Sequence, residues 1–326
     1  MRAAFYEQNG PAREVLKLGE INTPRPGPGE VRVKVATSGV NPSDVKARSG
    51  ATRKISYPRV IPHSDGAGEI DMVGDGVSPA RLGERVWVWN AQWLRAFGTC
   101  AEYVTLPAQQ AVRLPANTSF EAGACFGIPA MTAYHAVAVS GAAPGATILI
   151  AGGAGSVGHY AVQFAKTAGA TVITTISSPE KAQLARDAGA DHTIDYKREH
   201  VGERVMAMTD KKGVDAIIEL DVTANAQLIP QVLRPRGLVV VYGTGSPESE
   251  IPLMFCLRHA ITLKFVYVYE LDASERAAAL AAIERAAEAG TLITNVGITL
   301  PLAEIVAAHE AVEQGKVLGN VVVKIS

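Results

Sequence analysis

The glycines of Gly153-Ala154-Gly155-Ser156-Val157-Gly158 have the G-x-G-x-x-G spacing that binds the pyrophosphate of a dinucleotide. In such a site the first glycine permits a tight turn, the second leaves room for the pyrophosphate, and the third lets a helix pack close to a sheet. The N–H groups at the start of that helix then bind the phosphates. The same six residues also suit an ordinary tight turn, so their interpretation depends on the elements around them.

The residues about 20 positions after these glycines distinguish NAD sites from NADP sites. An NAD site usually has Asp or Glu there, whereas this chain has Ile176-Ser177-Ser178, followed by Lys181. Two hydroxyl groups and an ammonium suit the 2′-phosphate of NADPH. In the alternative, Ser178 only caps a helix, Lys181 is a solvated lysine, and Glu180 binds the ribose of NAD. We expect NADPH.

The three cysteines indicate neither a metal centre nor a disulfide framework. Cys100, Cys125 and Cys256 lie far apart, and no Cys-x-x-Cys pair is present. Structural zinc sites need closely spaced ligands, and disulfide frameworks need an even number of cysteines. We therefore expect three small buried residues.

The elements around the glycines favour the cofactor interpretation. Residues 147–151 form a short apolar run, as in a strand buried on both faces. Residues 156–168 have one apolar face and end at Gly169, as in a helix. Further strands are predicted at 171–176, 214–219 and 238–242, and helices from Pro179 and Ser274. This alternation predicts an α/β, doubly wound parallel sheet.

The first 117 residues have a different pattern. Short alternating runs, such as residues 31–35 and 85–89, lie between glycines and prolines. Such runs predict a small, mostly antiparallel β domain.

Composition and charge argue against two classes of partner. Lys plus Arg number 31 and Asp plus Glu 32, without a dense basic run, so no nucleic-acid partner is expected. The N-terminus lacks the apolar core of a signal peptide, and no apolar run reaches the about 20 residues that span a bilayer. We expect a cytoplasmic protein without a membrane partner.

Three further segments resemble the quinone oxidoreductase (zeta-crystallin) family, the zinc-independent branch of the medium-chain dehydrogenase/reductases. They are Gly39-Val40-Asn41-Pro42-Ser43-Asp44, Ile61-Pro62-His63-Ser64-Asp65-Gly66-Ala67-Gly68 and Gly127-Ile128-Pro129-Ala130-Met131-Thr132-Ala133-Tyr134. With the glycines, the resemblance covers essentially the whole chain. It implies a GroES-like mostly-β domain (residues 1–117 and 268–326, the C-terminal tail returning) and a Rossmann NADPH-binding domain (residues 118–267). We also expect a homodimer.

The resemblance implies roles for individual residues. Asn41 would approach the nicotinamide ribose, and Thr132 would lie under the nicotinamide. The residues expected around the 2′-phosphate are Ser177, Lys181 and Tyr196. Those expected to line the nicotinamide half of the cofactor are Tyr242, Gly243, Thr244, Phe265, Val266, Tyr267 and, from the tail, Asn320. The alternative for residues 265–267 is the core of the sheet.

Some positions depart from relatives of the superfamily. Lys46 stands where many quinone oxidoreductases have a tyrosine that helps to enclose the acceptor or cofactor. His63 replaces a glycine, and a lone histidine in a turn is more often structural than functional. Zinc-dependent relatives have metal ligands at the positions of Asn41 and Ser64, so we expect no metal.

Without a metal or an evident acid–base pair, we expect the protein to position NADPH against a flat electrophilic acceptor. The predicted catalytic residues are Asn41, Lys46 and Ser64, as donors to the developing oxyanion. The small-molecule acceptor would be a quinone or a similar conjugated carbonyl. The alternatives are reduction of an enone, alkenal or enoyl-thioester, and non-enzymatic NADPH binding.

Overall fold

The computed structural model describes residues 1–325, which form fifteen strands and twelve α-helices. The strands are β1 (Arg2–Phe5), β2 (Lys17–Glu20), β3 (Glu30–Val40), β4 (Asp65–Val73), β5 (Arg85–Val88), β6 (Tyr103–Pro107), β7 (Ala111–Arg113), β8 (Thr147–Ile150), β9 (Thr171–Ile176), β10 (His192–Asp195), β11 (Val214–Glu219), β12 (Leu233–Val241), β13 (Thr262–Phe265), β14 (Val296–Pro301) and β15 (Asn320–Lys324). The helices are α1 (Ala12–Val15), α2 (Pro42–Ser49), α3 (Phe120–Gly123), α4 (Met131–Val139), α5 (Ser156–Thr167), α6 (Pro179–Asp187), α7 (Val201–Met208), α8 (Val222–Asn225), α9 (Ile229–Val232), α10 (Leu253–His259), α11 (Ala273–Glu288) and α12 (Ile305–Gln314). None of the helices in this range has the length and apolar composition needed to cross a membrane.

Two compact units divide the chain. The first unit is Met1–Pro129 together with the residues from Leu280 onward, and the second unit is Ala130–Ala279. Both boundaries lie further along the chain than those predicted at residues 117 and 267. The first difference arises because α3 packs on the sheet of the first unit, where Thr37 Oγ1 donates to Phe120 O at 2.7 Å. The second arises because the boundary falls inside the Ala-rich helix α11.

The second unit contains a six-stranded sheet in which every neighbouring pair is parallel. Its order is β10-β9-β8-β11-β12-β13, so the chain moves outward on one side of β8 and then on the other. The predicted doubly wound sheet is confirmed. Sheets of this kind bind ligands beyond the carboxyl ends of the strands, next to the strand at which the order reverses.

Local sequence patterns explain the helices beside β8 and β9. As predicted, α5 begins at Ser156, and Gly169 follows its end with a φ of 86° that favours glycine. As also predicted, α6 begins at Pro179, and the hydroxyl of Ser178 accepts a hydrogen bond from Lys181 N at 3.3 Å.

The first unit contains a seven-stranded sheet with the path β14-β15-β3-β4-β5-β7, and β6 also pairs with β3. All of these pairs are antiparallel except β14–β15. Because β15 pairs with β3, residues from the end of the chain complete a sheet that begins at Glu30. The predicted β domain is thus observed.

A chain of buried polar side chains joins α12 to this sheet. His309 Nε2 lies 3.0 Å from His63 Nε2, and His63 Nδ1 lies 2.8 Å from Ser38 Oγ. Ser38 Oγ lies 2.7 Å from Thr99 Oγ1, which donates to the carbonyl oxygen of Asp65 at 2.6 Å. A carbonyl oxygen only accepts, so Thr99 uses its one hydroxyl hydrogen on Asp65 O and must accept from Ser38. Ser38 in turn uses its hydrogen on Thr99, so it must accept from the Nδ1–H of His63.

The direction of this chain determines the state of both rings. Burial lowers the pKa of His63 to about 3 and that of His309 well below its ordinary value, so both are neutral near pH 7. His63 Nε2 therefore accepts from the Nε2–H of His309. Both residues are 0% exposed, and His63 has a φ of 77°. The structural interpretation of His63 is the one that the structure supports.

The neutral pair predicts a pH dependence of stability. An unfolded histidine has a pKa of about 6.5, so below that pH the unfolded chain binds protons that the folded His63 does not bind. Through His63, the free energy of unfolding therefore falls by about 2 kcal/mol between pH 7 and pH 5. Urea denaturation would measure the free energy of unfolding at both pH values. We expect it to fall by about 2 kcal/mol more in the parent than in His63→Gly, whose glycine suits the positive φ.

The comparison between parent and variant is essential because buried carboxyl groups with raised pKa values have the opposite pH dependence. If the free energy of unfolding changed equally with pH in the parent and in His63→Gly, His63 would not be neutral in the folded protein.

Candidate functional site

The turn between β8 and α5 is held by hydroxyl groups of β9. Gly153 N donates to Thr174 Oγ1 at 2.9 Å, and Gly152 N donates to Thr175 Oγ1 at 3.1 Å. The sequence predicted that Gly153 permits the tight turn. The left-handed φ of 68° belongs instead to Gly152, so Gly152 is the glycine that permits it. Gly153 has another reason to be glycine, because a Cβ there would lie well under 3.0 Å from Thr174 Oγ1.

Gly155 and Gly158 differ in what they would contact with a side chain. A Cβ on Gly158 would lie well under 3.0 Å from Gly152 O, so close packing requires this glycine. A Cβ on Gly155 would meet only Gly152 O, at 3.2 Å, and its backbone is extended (φ −78°, ψ 169°). Gly155 is also the N-cap residue of α5 and makes no side-chain cap hydrogen bond to the first turn of that helix. The fold needs Gly158, whereas the protein's own atoms restrict position 155 less.

The predicted 2′-phosphate residues lie at the carboxyl ends of two neighbouring strands. Lys181 Nζ donates to Ser177 Oγ at 3.0 Å. Tyr196 follows β10, and its N–H donates to Ile176 O, the last residue of β9, at 3.1 Å. The side chain of Tyr196 is 55% exposed. The structure thus brings an ammonium, a hydroxyl and an accessible phenol to one edge of the sheet.

Ser178 and Glu180 have local roles at the start of α6. The hydroxyl of Ser178 caps the helix by accepting from Lys181 N. It also donates to the Glu180 carboxylate, and this hydrogen bond lowers the pKa of Glu180. Ser178 therefore acts as the cap that the sequence offered as an alternative.

Other predicted cofactor residues lie beyond the ends of β11 and β12. A Cβ on Gly243 would lie well under 3.0 Å from the carbonyl oxygen of Leu220, so glycine allows these two segments to approach. Thr244 Oγ1 donates to Ser246 O at 2.7 Å and lies 2.7 Å from Thr223 Oγ1. Tyr242, half-buried, comes directly after β12.

The last residue of β13 and the two residues that follow it differ in exposure. Phe265 is 70% exposed and Tyr267 is 55% exposed, whereas Val266 is buried. Only Val266 fits the alternative that these residues form the core of the sheet. Thr132 is buried in α4 of the second unit, and Asn320 is buried at the start of β15 in the first unit, where its Nδ2 donates to Asn295 O at 3.0 Å.

Asn41, a predicted catalytic residue, is held by two buried aspartates. Its main-chain N–H donates to Asp44 Oδ2 at 2.8 Å, and its side-chain oxygen accepts from Asp44 N, which forms a capping box at the start of α2. Its Nδ2 donates to Asp65 Oδ2 at 2.7 Å. Ser64 is buried, and its main-chain N–H also donates to Asp44. Lys46 lies on the exposed side of α2.

Burial makes both aspartates resist ionisation. Burial raises the pKa of Asp44 to about 7, and it raises the pKa of Asp65 well above its ordinary value. The roles of the two aspartates were not predicted, although Asn41-x-x-Asp44 has the spacing of a capping box. The bond between Asn41 and Asp65 joins different elements and has no such local pattern.

The described part of the first unit has no cluster of metal ligands around Asn41. Among residues 1–325, no three His, Cys, Asp or Glu side chains are arranged to hold a metal ion. His63 uses both ring nitrogens within the core of this unit. Cys100, Cys125 and Cys256 are buried free thiols, as predicted.

Comparisons with known proteins match both units. The alcohol dehydrogenase GroES-like domain model matches residues 27–116, and the zinc-binding dehydrogenase model matches residues 156–285. A 2-haloacrylate reductase of Burkholderia sp. is 30% identical over 99% of this chain and 98% of its own length. A quinone oxidoreductase of Pseudomonas aeruginosa is 35% identical over 75% of this chain and 74% of its own.

Two solved structures are similar over the full length of both chains. An NAD-dependent alcohol dehydrogenase has a TM-score of 0.92 at 29% identity. The quinone oxidoreductase of Escherichia coli, solved as a complex with NADPH, has a TM-score of 0.89 at 26% identity. The GroES-like and Rossmann components of the predicted fold are confirmed.

The contrast between Gly155 and Gly158 predicts opposite effects of the same substitution. Gly155→Val should lower the melting temperature less than Gly158→Val does, because an added Cβ meets only Gly152 O. It should abolish dinucleotide binding, because the fingerprint places the pyrophosphate against this glycine. Gly158→Val should instead lower the stability by about 1–3 kcal/mol or more through overpacking. Calorimetric melting and titration with NADPH and NADH would measure both effects.

Unfolding of Gly155→Val would show that this glycine is needed only by the turn. Binding of dinucleotide at the parental affinity would place the pyrophosphate elsewhere.

Proposed function

This chain belongs to the quinone oxidoreductase family of the medium-chain dehydrogenase/reductase superfamily, and we propose that it reduces a quinone or similar conjugated carbonyl with NADPH, without a metal ion. The observation that carries the cofactor assignment is the contact between Lys181 Nζ and Ser177 Oγ at the end of β9. An ammonium and a hydroxyl at this position suit a 2′-phosphate. The similar Escherichia coli enzyme was solved with NADPH.

Glu180 is the residue on which the alternative cofactor depends. Its carboxylate lies at the exposed start of α6, and a carboxylate there could bind the ribose hydroxyls of NAD. A similar structure is that of an NAD-dependent alcohol dehydrogenase. Lys181 lies in the same helical turn and would be the partner of the extra phosphate, so the two cofactors can be separated by changing this lysine.

The protein contributes position and hydrogen bonds to the proposed reaction, and the bound cofactor supplies the hydride. Asn41 and Ser64 would donate to the acceptor oxygen as it gains negative charge, and solvent would supply the proton. In zinc-dependent relatives metal ligands occupy these two positions, where this chain has an amide and a hydroxyl. Their chemistry therefore supports catalysis by hydrogen bonding.

Lys46 supports a second candidate acceptor. An exposed ammonium on α2 would favour an acidic acceptor over an apolar quinone. The similar protein from Burkholderia sp. is a 2-haloacrylate reductase, and a haloacrylate is a conjugated carboxylate. Reduction of an enone, alkenal or enoyl-thioester would also transfer hydride to a conjugated system, so these acceptors are alternatives to a quinone.

We also propose a homodimer. β13 lies at the edge of the six-stranded sheet, and large apolar side chains are exposed on it and on the preceding helix. They are Leu253, Met254, Leu257 and Phe265. An exposed apolar edge of this kind favours pairing with another chain, and sedimentation equilibrium would give the mass.

The cofactor proposal predicts a selective effect of one lysine. The parent should use NADPH more efficiently than NADH, and Lys181→Ala should raise the KM for NADPH about 10- to 150-fold because a charge-assisted contact contributes about 1.5–3 kcal/mol. The KM for NADH should hardly change. Lys166→Ala is the matched control, since Lys166 pairs with Asp191 at 2.8 Å, at the opposite end of β10.

Equal or better efficiency of the parent with NADH would reject the assignment of NADPH. So would an equal loss with both cofactors in Lys181→Ala.

The acceptor proposal is tested by a panel of quinones, enones and 2-haloacrylates assayed with NADPH in the presence of a chelator. We expect turnover of quinones that the chelator does not reduce. Lys46→Tyr should lower the KM for quinones with little change in the KM for NADPH, because an aromatic wall replaces a cation. Lys46→Met, which removes the charge without adding a ring, is the matched control.

If the enzyme reduced only enones or haloacrylates, and Lys46→Tyr did not change this, the acceptor would be of the second kind and not a quinone. Binding of NADPH without turnover of any acceptor would favour a non-enzymatic role, and loss of activity in chelator would indicate a metal.

A further inference from the structure

We propose that Asp221 is a positioning residue for the nicotinamide half of NADPH. Its carboxylate joins residues 220–225, which follow β11, to residues 242–246, which follow β12, and so holds the second segment in place. The inference rests on the proposed function, because it takes the start of this second segment as the part that lines the nicotinamide half.

The two segments lie at the part of the sheet where a ligand is expected. The strand order reverses between β8 and β11, and sheets of this kind bind ligands beyond the carboxyl ends of the strands at such a point. Leu220 directly follows β11 and is 39% exposed. A Cβ on Gly152 would lie 2.6 Å from Leu220 Cδ2, and the carbonyl oxygen of Leu220 lies against Gly243. Leu220 therefore lies between the glycine turn after β8 and the segment after β12.

Asp221 makes the shorter of its two side-chain hydrogen bonds to the segment after β12. Its Oδ1 accepts from Gly245 N at 2.8 Å and from Ala224 N at 3.3 Å. The longer bond caps α8, which has only four residues, and a serine or an asparagine would cap it equally well. The shorter bond joins residues 24 positions apart in the sequence. Capping of α8 is therefore the weaker of the two roles of this carboxylate.

Hydroxyl and main-chain groups join the same two segments. Thr244 Oγ1 donates to Ser246 O at 2.7 Å, so it must accept the hydrogen bond that Thr223 Oγ1 makes to it at 2.7 Å. Val222 N donates to Gly243 O at 3.4 Å. Together with the carboxylate, these bonds connect three consecutive residues to the segment after β12.

A buried glutamate holds the main chain of Asp221. Glu219 is 4% exposed, and its Oε1 accepts from Asp221 N at 2.6 Å and from Asn225 Nδ2 at 2.9 Å. These two bonds fix the segment after β11 without the Asp221 side chain. Removing the carboxylate should therefore loosen residues 242–246 while the glutamate keeps the first segment in place.

The test compares two ligands by calorimetric titration. NADPH has both halves of the cofactor, whereas adenosine 2′,5′-bisphosphate has the 2′-phosphate and lacks the nicotinamide. Asp221→Ala should raise the Kd for NADPH on the order of tenfold, as expected for the loss of about one hydrogen bond, and leave the Kd for the bisphosphate unchanged. Asp221→Asn, which keeps an accepting oxygen, should bind both ligands as the parent does.

Gly245→Ala separates the contact between the segments from the cap of α8. A Cβ on Gly245 would lie 2.9 Å from Asp221 Oδ2 and 3.2 Å from Asp221 Oδ1, so it displaces the carboxylate and leaves the cap residue in the chain. We expect the same selective loss of affinity for NADPH, and no further loss in the double variant with Asp221→Ala, because both changes break one contact. Gly245→Ala also carries the test if Asp221→Ala does not fold.

Thr209→Val is the matched control for a loss of stability. Thr209 Oγ1 accepts from Gly213 N at 3.1 Å, which is again a bond between a side-chain oxygen and a glycine N–H, but at the opposite end of β11. Its loss should lower the melting temperature and leave the Kd values of both ligands unchanged.

The outcomes separate the inference from the proposed function. An equal loss of affinity for both ligands in Asp221→Ala, or parental binding of NADPH in Asp221→Ala or Gly245→Ala, would overturn the inference and leave the proposed function intact. A loss in Asp221→Asn as large as that in Asp221→Ala would also overturn it, because the effect would then come from the charge. Failure of the parent to bind NADPH would reject the proposed cofactor, and the inference with it.

Discussion

Most polar groups buried in a folded protein face a hydrogen-bond partner of the opposite kind, and two networks of such bonds organise the first unit. Asp65 is the point where its two buried networks meet. The main-chain oxygen of Asp65 ends the chain that begins at His309, and its side chain begins the one that holds Asn41. The first network binds the C-terminal helix α12 to the sheet. The second holds the side chain of Asn41, so the same residue serves the fold and holds a residue of the proposed site.

The second unit uses a different constraint, the close approach of main-chain atoms at a turn. Gly152, Gly153 and Gly158 are glycines because the protein's own atoms leave no room for a side chain or because φ is positive. Gly155 is less restricted, because an added Cβ would meet only Gly152 O, at 3.2 Å. The fingerprint predicted roles in one ligand site for three glycines. Two of them, with Gly152 before them, are required by the protein's own atoms, and Gly155 is the least restricted.

The sequence predicted those features whose causes are local. Strand 171–176 and the helix starts at Ser156 and Pro179 follow from short apolar runs, a proline and a capping serine, and the structure agrees with all three. The partner of His63 could not be predicted, since His309 lies 246 residues away. The same holds for the bond between Asn41 and Asp65, which depends on how α2 and β4 pack. The boundaries of the units differed because α3 packs on strands of the first unit that are distant in sequence, and because α11 is divided between the two units.

The pairing of His63 with His309 has a consequence for how this sequence can change over generations. His63 lies at a φ that glycine adopts more easily, so the backbone alone does not preserve it. Loss of either imidazole would remove the hydrogen-bond partner of the other ring's buried Nε2. Selection against unstable proteins would remove such an intermediate. The two positions are therefore mutationally coupled: descendants of this chain would be expected to keep both rings or to replace both together.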